Sequence, residues 1–174
     1  YTASGLDFST TYSWSVTEVN TAEEVTAYDG PVWSFTTSGF EVGDDFDGYN
    51  DDMDGGTTIF QTWQDGFDDK NNGALVSYLT SPFCEQTIVK SGQSMPLSYD
   101  NAAGNGTSEV ILPLNQDWTV SGIKTLALAF FGKTGNTGTL YVKVNSTKKP
   151  YDMAASDIAS SGWHAWNIDL TSIS

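Results

Sequence analysis

The apolar run KTLALAFFG, residues 124–132, is the stretch that decides the fold class. Every residue from Leu126 to Phe131 is apolar, and a glycine ends the run. A short apolar run bounded by turn-forming residues is typical of a strand that is buried on both faces. We therefore expect residues 124–132 to form a central strand of a β-sheet.

Other short β-rich runs surround this stretch, separated by clusters such as DDKNNG, DNAAGNGT and GKTGNTG. Strands at this spacing, divided by Gly, Asn, Asp and Ser, are typical of an all-β sandwich. The segment DMAASDIASSG is compatible with either a short helical turn or a loop. The predicted strands are Thr58–Trp63, Ala74–Leu79, Gln86–Val89, Ser94–Tyr99, Glu109–Leu114, Thr125–Phe131, Thr139–Val144 and His164–Leu170.

Alternation of large and small side chains predicts two strands in the first forty residues. In TTYSWSVTEVN, residues 10–20, aromatic and aliphatic side chains alternate with small polar ones, as in a half-buried strand. GPVWSFTT, residues 30–37, repeats the pattern with Trp33 and Phe35. Together they predict a hairpin, which is only marginally stable alone in water.

Residues 1–38 resemble the closing strands of a fibronectin type III domain. Leu6 and Tyr12 have the spacing of the tyrosine corner of such sandwiches. A complete domain of that kind has about seven strands in about 100 residues. The resemblance therefore implies that the remaining strands lie upstream in a parent chain or come from a neighbouring copy. It rests on Leu6, Thr11, Tyr12, Trp14, Val16, Asn20 and residues 33–37.

Residues 40–174 resemble a galactose-binding-like jelly-roll domain, the kind that serves as a carbohydrate-binding module in secreted bacterial multidomain proteins. The resemblance implies an extracellular or cell-surface β-sandwich, often with one structural calcium, that binds glycan on its concave face or rim. One departure is that the chain stops at LTSIS, where the family usually adds a strand with paired aspartates. The likeness lies in the order of EVGDDFDGYND, TWQDGF, PFCEQTIVKSGQSMPLSYDN, QDWTVSGIKTLALAFFG, LYVKV and WHAWNIDL.

The net charge of the chain limits the classes of molecule that it can bind. Seven lysines, no arginine and 22 acidic residues give a formal net charge of −15. Nucleic-acid binders need a basic surface, so we expect no nucleic-acid partner. No apolar run approaches the ~18 residues of a membrane span, so we expect no membrane insertion. An acidic chain attracts calcium wherever its carboxylates converge.

The acidic stretch DDFDGYNDDMDGG, residues 44–56, is the candidate calcium site. Asp45 and Asp47 alternate, so both carboxylates would point to one side of an extended strand. Two carboxylates so near each other repel, and a bound cation would relieve that repulsion. The jelly-roll resemblance adds Asp169, from the last strand, to the same site. The alternative is a solvated loop.

A second calcium pattern overlaps the first. Residues 50–55, NDDMDG, have the Asn-x-Asp-x-Asp-Gly order that begins an EF-hand-like loop, with Asp52 and Asp54 as ligands. The twelfth position is Gln61 rather than a bidentate glutamate. A simple surface calcium loop is therefore a better hypothesis than a complete EF-hand.

Aromatic side chains beside amides and carboxylates are the candidates for sugar binding. A sugar stacks its C–H face on an aromatic ring, while its hydroxyls need donors and acceptors. The alternative for each ring is packing in the core or at a strand edge, and Trp166 in WNIDL is assigned to the core. The candidates are Trp63, Gln64, Asp65, Tyr99, Asn101 and Trp163.

Two classes of function follow. The first is a non-catalytic, calcium-stabilised carbohydrate-binding module, whose partners are a polysaccharide and neighbouring domains of the same parent chain. The second is a structural segment of an adhesin, surface layer or extracellular filament, a homo-polymer in which a strand from the next copy completes the sandwich. We expect no enzyme, because His164 is the only histidine and Cys84, the only cysteine, is expected to be buried.

Overall fold

A computed structural model describes residues 2–22, 27–102, 106–113 and 122–173. Within these ranges, ten short strands dominate, so the prediction of an all-β fold is confirmed. The helices are α1 (Ile59–Thr62) and two 3₁₀ helices, Ala155–Ala159 and Leu170–Ser172. The strands are β1 (Thr11–Trp14), β2 (Thr17–Val19), β3 (Ala27–Asp29), β4 (Trp33–Thr36), β5 (Ala74–Val76), β6 (Leu97–Tyr99), β7 (Thr125–Gly132), β8 (Tyr141–Val144), β9 (Thr147–Pro150) and β10 (Gly162–Asp169).

The strands pair two by two, each pair antiparallel, so the described residues contain five two-stranded ribbons. The pairs are β1–β4, β2–β3, β5–β6, β7–β10 and β8–β9. The packing of these ribbons into a jelly-roll sandwich stays a prediction. None of the helices in the described ranges is long and apolar enough to cross a membrane.

The described residues form two compact units: the first consists of the residues up to Gly43 together with Gly122, and the second of the rest. The first unit contains β1 to β4, and the second contains α1 and β5 to β10. In the first unit, Trp14 of β1 lies opposite Trp33 of β4, and their ring centroids are 4.6 Å apart. The backbone N–H of Asp7 donates to the hydroxyl of Tyr12 over 2.9 Å, a contact of the kind that tyrosine corners make.

Strands β7 and β10 form the longest ribbon, eight residues on each side. One face buries Trp166 and Ile168, which confirms the assignment of Trp166 to the core. On the opposite face, Ala127, Ala129 and Ala165 are exposed. The prediction that residues 124–132 are buried on both faces is therefore wrong, because the core cluster packs on one side of the ribbon only.

Two apolar clusters form the core of the second unit. The first consists of buried Trp166, Ile168, Leu170 and Ile173, with Leu126, Leu128, Val142 and Val144 among the half-buried side chains around it. The second consists of buried Ile59, Val76 and Cys84, with Phe46, Tyr49, Phe60 and Trp63 among its neighbours. The prediction of a buried Cys84 thiol is confirmed, and burial raises the pKa of that thiol.

Residues 58–63, predicted as a strand, instead contain α1. The backbone N–H of Thr58 donates to Gln61 Oε1 over 2.9 Å, and that of Trp63 donates to the carbonyl of Ile59 over 2.8 Å. Local hydrogen bonds thus close both ends of the turn, while fully buried Ile59 anchors it. This capping outweighs the strand preference of the β-branched residues here.

Two further predicted strands are not formed. Over residues 86–89, two backbone N–H groups donate to the Glu85 carboxylate instead of to a neighbouring strand. Over residues 109–114, Ile111 pairs only in an isolated bridge, and residue 114 lies outside the described ranges. Five predicted strands are confirmed with changed bounds, as β5, β6, β7, β8 and β10.

Candidate functional site

Trp63 packs against the second core cluster. Its indole N–H donates to Asp44 Oδ2 over 2.8 Å, and its ring centroid lies 6.0 Å from that of Phe46. The hydroxyl of Tyr49 donates to the same Asp44 oxygen. Burial, followed by this hydrogen bond, raises the pKa of Tyr49 to about 12. The placement of Trp63 favours a packing role over an exposed sugar platform.

Gln64 and Asp65 connect neighbouring segments of the chain through hydrogen bonds. The carboxylate of Asp65 accepts the backbone N–H groups of Val76 and Phe67 over 2.8 and 2.9 Å. The exposed Gln64 exchanges two backbone hydrogen bonds with Ile111, both 2.8 Å long. Asp65 therefore positions β5, and its carboxylate oxygens both have protein partners.

Tyr99 and Asn101 lie at an exposed corner of the second unit. The hydroxyl of Tyr99 donates to the carbonyl of Thr137 over 2.9 Å, and 38% of the Tyr99 surface is exposed. The side-chain oxygen of Asn101 accepts the hydroxyl of Ser108 over 2.8 Å. We call these four residues the polar corner. It presents an aromatic ring, an amide and a hydroxyl to solvent.

The backbone beside the polar corner is held by Asn72. Its side-chain nitrogen donates to the carbonyl of Glu109 over 2.8 Å, and its side-chain oxygen accepts the Glu109 N–H over 2.9 Å. The Glu109 carboxylate in turn accepts the Tyr141 hydroxyl and lies 3.5 Å from the Lys143 ammonium. The hydrogen bond from Tyr141 is the main cause that lowers the pKa of Glu109. These contacts connect Asn72, Glu109, Tyr141 and Lys143, which we call the corner's support.

The structure brings four of the six predicted sugar-binding residues into one hydrogen-bonded region. Asp65 accepts a backbone N–H of β5, and Gln64 forms an isolated bridge with Ile111. The β5–β6 ladder ends at Tyr99, two residues before Asn101. Trp163 belongs instead to the β7–β10 ribbon, where it makes an edge-to-face contact with Phe131 at 5.7 Å. Trp163 is half-buried and lies on the ribbon face opposite Trp166.

Asp45 and Asp47 do not lie on an extended strand. Phe46 between them has a φ of 66°, in the left-handed region. Asp45 Oδ1 accepts the Asp47 N–H over 3.1 Å, and Asp47 Oδ1 accepts the Gln93 N–H over 2.7 Å. The predicted extended geometry is therefore wrong, because side-chain to backbone hydrogen bonds turn the chain here.

Asp169 ends β10 and caps the following 3₁₀ helix. Its Oδ1 accepts the hydroxyl of Thr171 over 2.7 Å and the Thr171 N–H over 2.9 Å, and these bonds lower the pKa of Asp169. In the portion of the chain described, no three or more His, Cys, Asp or Glu side chains are grouped to hold a metal ion. A shared calcium between Asp169 and Asp45 or Asp47 stays a prediction.

Residues 50–57 form a tight loop around two side chains. Asn50 Oδ1 accepts two backbone N–H groups of the loop over 3.0 and 3.2 Å, and Asp52 Oδ1 accepts two more over 3.0 Å. These bonds lower the pKa of Asp52. A Cβ at Gly56 would lie 2.1 Å from Asn50 Oδ1, so only glycine fits there. Asp54 is exposed, and its backbone N–H is one of the two that Asp52 accepts.

His164 stacks on Phe130 with ring centroids 5.3 Å apart, and it is half-buried. Its Nδ1 lies 3.7 Å from Asp157 Oδ2, which also accepts the Tyr151 hydroxyl over 2.6 Å. That hydrogen bond raises the pKa of Tyr151 to about 12. Asp157 of the 3₁₀ helix Ala155–Ala159 thus lies between Tyr151, which donates to it, and His164 of β10.

A cleft of about 600 Å³ is the feature that the sequence did not indicate. It is lined by residues 78–82 and 84–87. The Glu85 carboxylate accepts the Tyr78 hydroxyl and the backbone N–H groups of Thr87 and Ile88. These bonds, the Tyr78 hydroxyl first, lower the pKa of Glu85 from 4.5 to about 2. No sequence pattern marks these pairings, because they depend on how the loop folds back.

Acid is expected to open this cleft. Because the folded-state pKa of Glu85 is depressed, its stabilisation is complete above about 4.5 and is lost as the pH falls toward about 2. Hydrogen-exchange protection factors of the Thr87 and Ile88 amides should therefore fall across this window. In Glu85→Ala, which has no side-chain acceptor oxygen, they should be low and independent of pH. Protection that persists to pH 2 in the wild type would contradict this clamp.

Comparison with known proteins adds no assignment. The chain matches no protein-family model, and no curated protein or solved structure is significantly similar to it. The resemblances to a fibronectin type III domain and to a carbohydrate-binding jelly roll therefore stay predictions.

Proposed function

We propose that the chain is a non-catalytic carbohydrate-binding module of a larger secreted or surface protein, located outside the cell. The observation that supports this most is the polar corner, where the Tyr99 ring is exposed and, two residues further along the chain, the Asn101 amide oxygen accepts the Ser108 hydroxyl. A ring that stacks on a sugar face, with polar groups for its hydroxyls, is the chemistry that saccharide recognition needs.

The charge of the chain favours a neutral glycan. A net charge of −15 repels sulfated and uronic-acid polymers. Two cations lie next to the corner's support, and both are engaged: Lys143 faces Glu109, and the Lys148 ammonium lies 3.6 Å from the centre of the Tyr141 ring. We therefore expect neutral polysaccharides to be the ligand class.

Replacing Tyr99 by alanine is expected to weaken retention in polyacrylamide gels that contain a neutral polysaccharide. Loss of one stacking ring corresponds to about two- to tenfold in affinity. Tyr28→Ala is the matched control, because Tyr28 is 48% exposed but lies in the first unit. Equal retention of Tyr99→Ala and the wild type would remove the polar corner from the binding site.

Calcium is proposed as a stabilising ion in the loop of residues 50–57. Asn50, Asp52 and Asp54 offer the hard oxygen ligands that calcium prefers. Gln61 stands at the twelfth position, and its amide is engaged by the Thr58 N–H and the Met53 carbonyl. Without a bidentate carboxylate, we expect weak affinity, with a Kd of about 10⁻⁴ to 10⁻³ M.

Calcium at 10 times its Kd should raise the free energy of unfolding of the second unit by about 1.4 kcal/mol. Thermal unfolding with calcium and then with a chelator measures this. Asp54→Asn should abolish the shift, because no hydrogen bond to protein occupies the Asp54 carboxylate within the described ranges. A shift lost in Asp45→Asn instead would place the ion at the other predicted site, and no shift would exclude calcium.

A second candidate function is self-assembly through the first unit. Trp14, Trp33 and Phe35 are 49%, 44% and 43% exposed on the β1–β4 ribbon. An exposed aromatic face on a two-stranded ribbon is an incomplete core and favours addition of strands from another copy. The polymer would be the structural segment of an adhesin, surface layer or filament.

A further inference from the structure

The cleft at residues 78–87 has a rigid frame. The backbone N–H of Tyr78 donates to the carbonyl of Phe83 over 2.9 Å. Asp51 accepts the Ser81 hydroxyl and, over 2.9 Å, the Phe83 N–H. Together with the Glu85 clamp described above, these bonds hold both ends of the loop. The cleft is therefore preorganised rather than formed by ligand.

The Glu85 carboxylate in the cleft already accepts hydrogen bonds from the protein. Each Glu85 oxygen accepts at least one hydrogen bond, from Tyr78 on one side and from backbone N–H groups on the other. The lining contains no lysine, arginine or histidine. The cleft thus offers no cation to an anionic ligand, and the Glu85 carboxylate already has hydrogen-bond donors on both oxygens.

The groups that remain free in the cleft are neutral. Tyr78 and Leu79 are 43% and 86% exposed. The Gln86 amide and the Thr80 hydroxyl make no hydrogen bond to any part of the protein that the structure describes. The surface therefore combines a ring, an aliphatic side chain, an amide and a hydroxyl.

We propose that this cleft binds a neutral sugar unit, as a subsite separate from the polar corner. The Tyr78 ring and Leu79 would take the C–H face of the sugar, while Gln86 and Thr80 would bond its hydroxyls. A volume of about 600 Å³ lies within the range of natural small-ligand sites. The inference rests on the proposed function, since it names a further site for the same ligand class.

The test uses Leu79→Ala and Gln86→Ala in the full chain. Both side chains are exposed and outside the frame, so the melting temperature should not change. Phe67→Ala is the matched control, because Phe67 is 78% exposed and does not line the cleft. The probes are soluble oligosaccharides cut from each neutral polysaccharide of a panel, titrated by calorimetry and by two-dimensional NMR.

We expect each cleft variant to bind about three- to tenfold more weakly than the wild type, with Phe67→Ala unchanged. The NMR signals of the Leu79 methyl groups and the Gln86 amide should shift on binding. Unchanged affinity and unshifted cleft signals, together with weaker binding by Tyr99→Ala, would overturn the cleft site and leave the proposed function standing. If the wild type binds no oligosaccharide, the cleft site and the proposed function both fail.

Discussion

Replacing Trp166 by alanine is expected to lower the free energy of unfolding of the second unit by about 3–5 kcal/mol. Trp166 is 1% exposed and packs with Ile168 and Leu170 in the first core cluster. Its ring also meets Tyr151 edge to face at 5.2 Å, and its N–H donates to Asp152 over 3.2 Å. The truncation therefore removes apolar burial and leaves a cavity. Chemical denaturation followed by circular dichroism measures the loss.

Trp163→Ala is the matched control for that measurement. Trp163 lies three positions away on β10, on the opposite and half-exposed face. Among the described residues, its ring contacts that of Phe131. We expect a loss of about 1 kcal/mol. Equal losses from both variants would contradict the one-sided burial of the β7–β10 ribbon.

Replacing Asp44 by alanine should have the second largest effect, about 2–4 kcal/mol and about 6–12 °C in melting temperature. One Asp44 oxygen accepts both the Trp63 indole N–H and the Tyr49 hydroxyl, so both donors lose their partner together. The other oxygen accepts the Phe46 N–H over 2.8 Å. Differential scanning calorimetry of the variant measures the shift.

Asp45→Ala isolates this effect from the loss of one negative charge. Asp45 is exposed and accepts only the Asp47 N–H, so a loss within about 1 kcal/mol is expected. A second readout is the alkaline absorbance titration. Asp44→Ala should lower the pKa of Tyr49 from about 12 only in part, because burial, the larger cause of the shift, remains. Similar stability of the two alanine variants would contradict the role given to Asp44.

Periodicity in the sequence was sufficient for much of the β-structure. The alternation in residues 162–169 placed Trp166 in the core, and the alternation in residues 10–20 predicted the aromatic face of β1. The apolar run at 124–132 predicted β7 but not its burial. Whether a second face is covered depends on elements remote in the chain, and periodicity carries no information about them.

The candidate site was less predictable because its contacts join distant residues. The segment around Trp63 has the composition of a sugar-binding surface. However, its hydrogen-bond partner Asp44 lies 19 residues away in sequence and holds the Trp63 ring against the core. Residues 86–89 have strand composition, yet the Glu85 carboxylate takes two of the backbone N–H groups that a strand would use. Short-range composition is enough to nominate Tyr99 and Asn101, an aromatic and an amide two residues apart, and their role in sugar binding stays a prediction.

Saccharide binding is tested most directly by retention of the purified chain on a panel of insoluble and soluble neutral polysaccharides. The mass in solution is measured in parallel by light scattering. We predict retention on at least one polysaccharide by a particle of 18.8 kDa, the mass of a single chain. Failure to bind any polysaccharide, with high-mass assemblies in solution, would contradict the carbohydrate-binding proposal and favour the structural polymer.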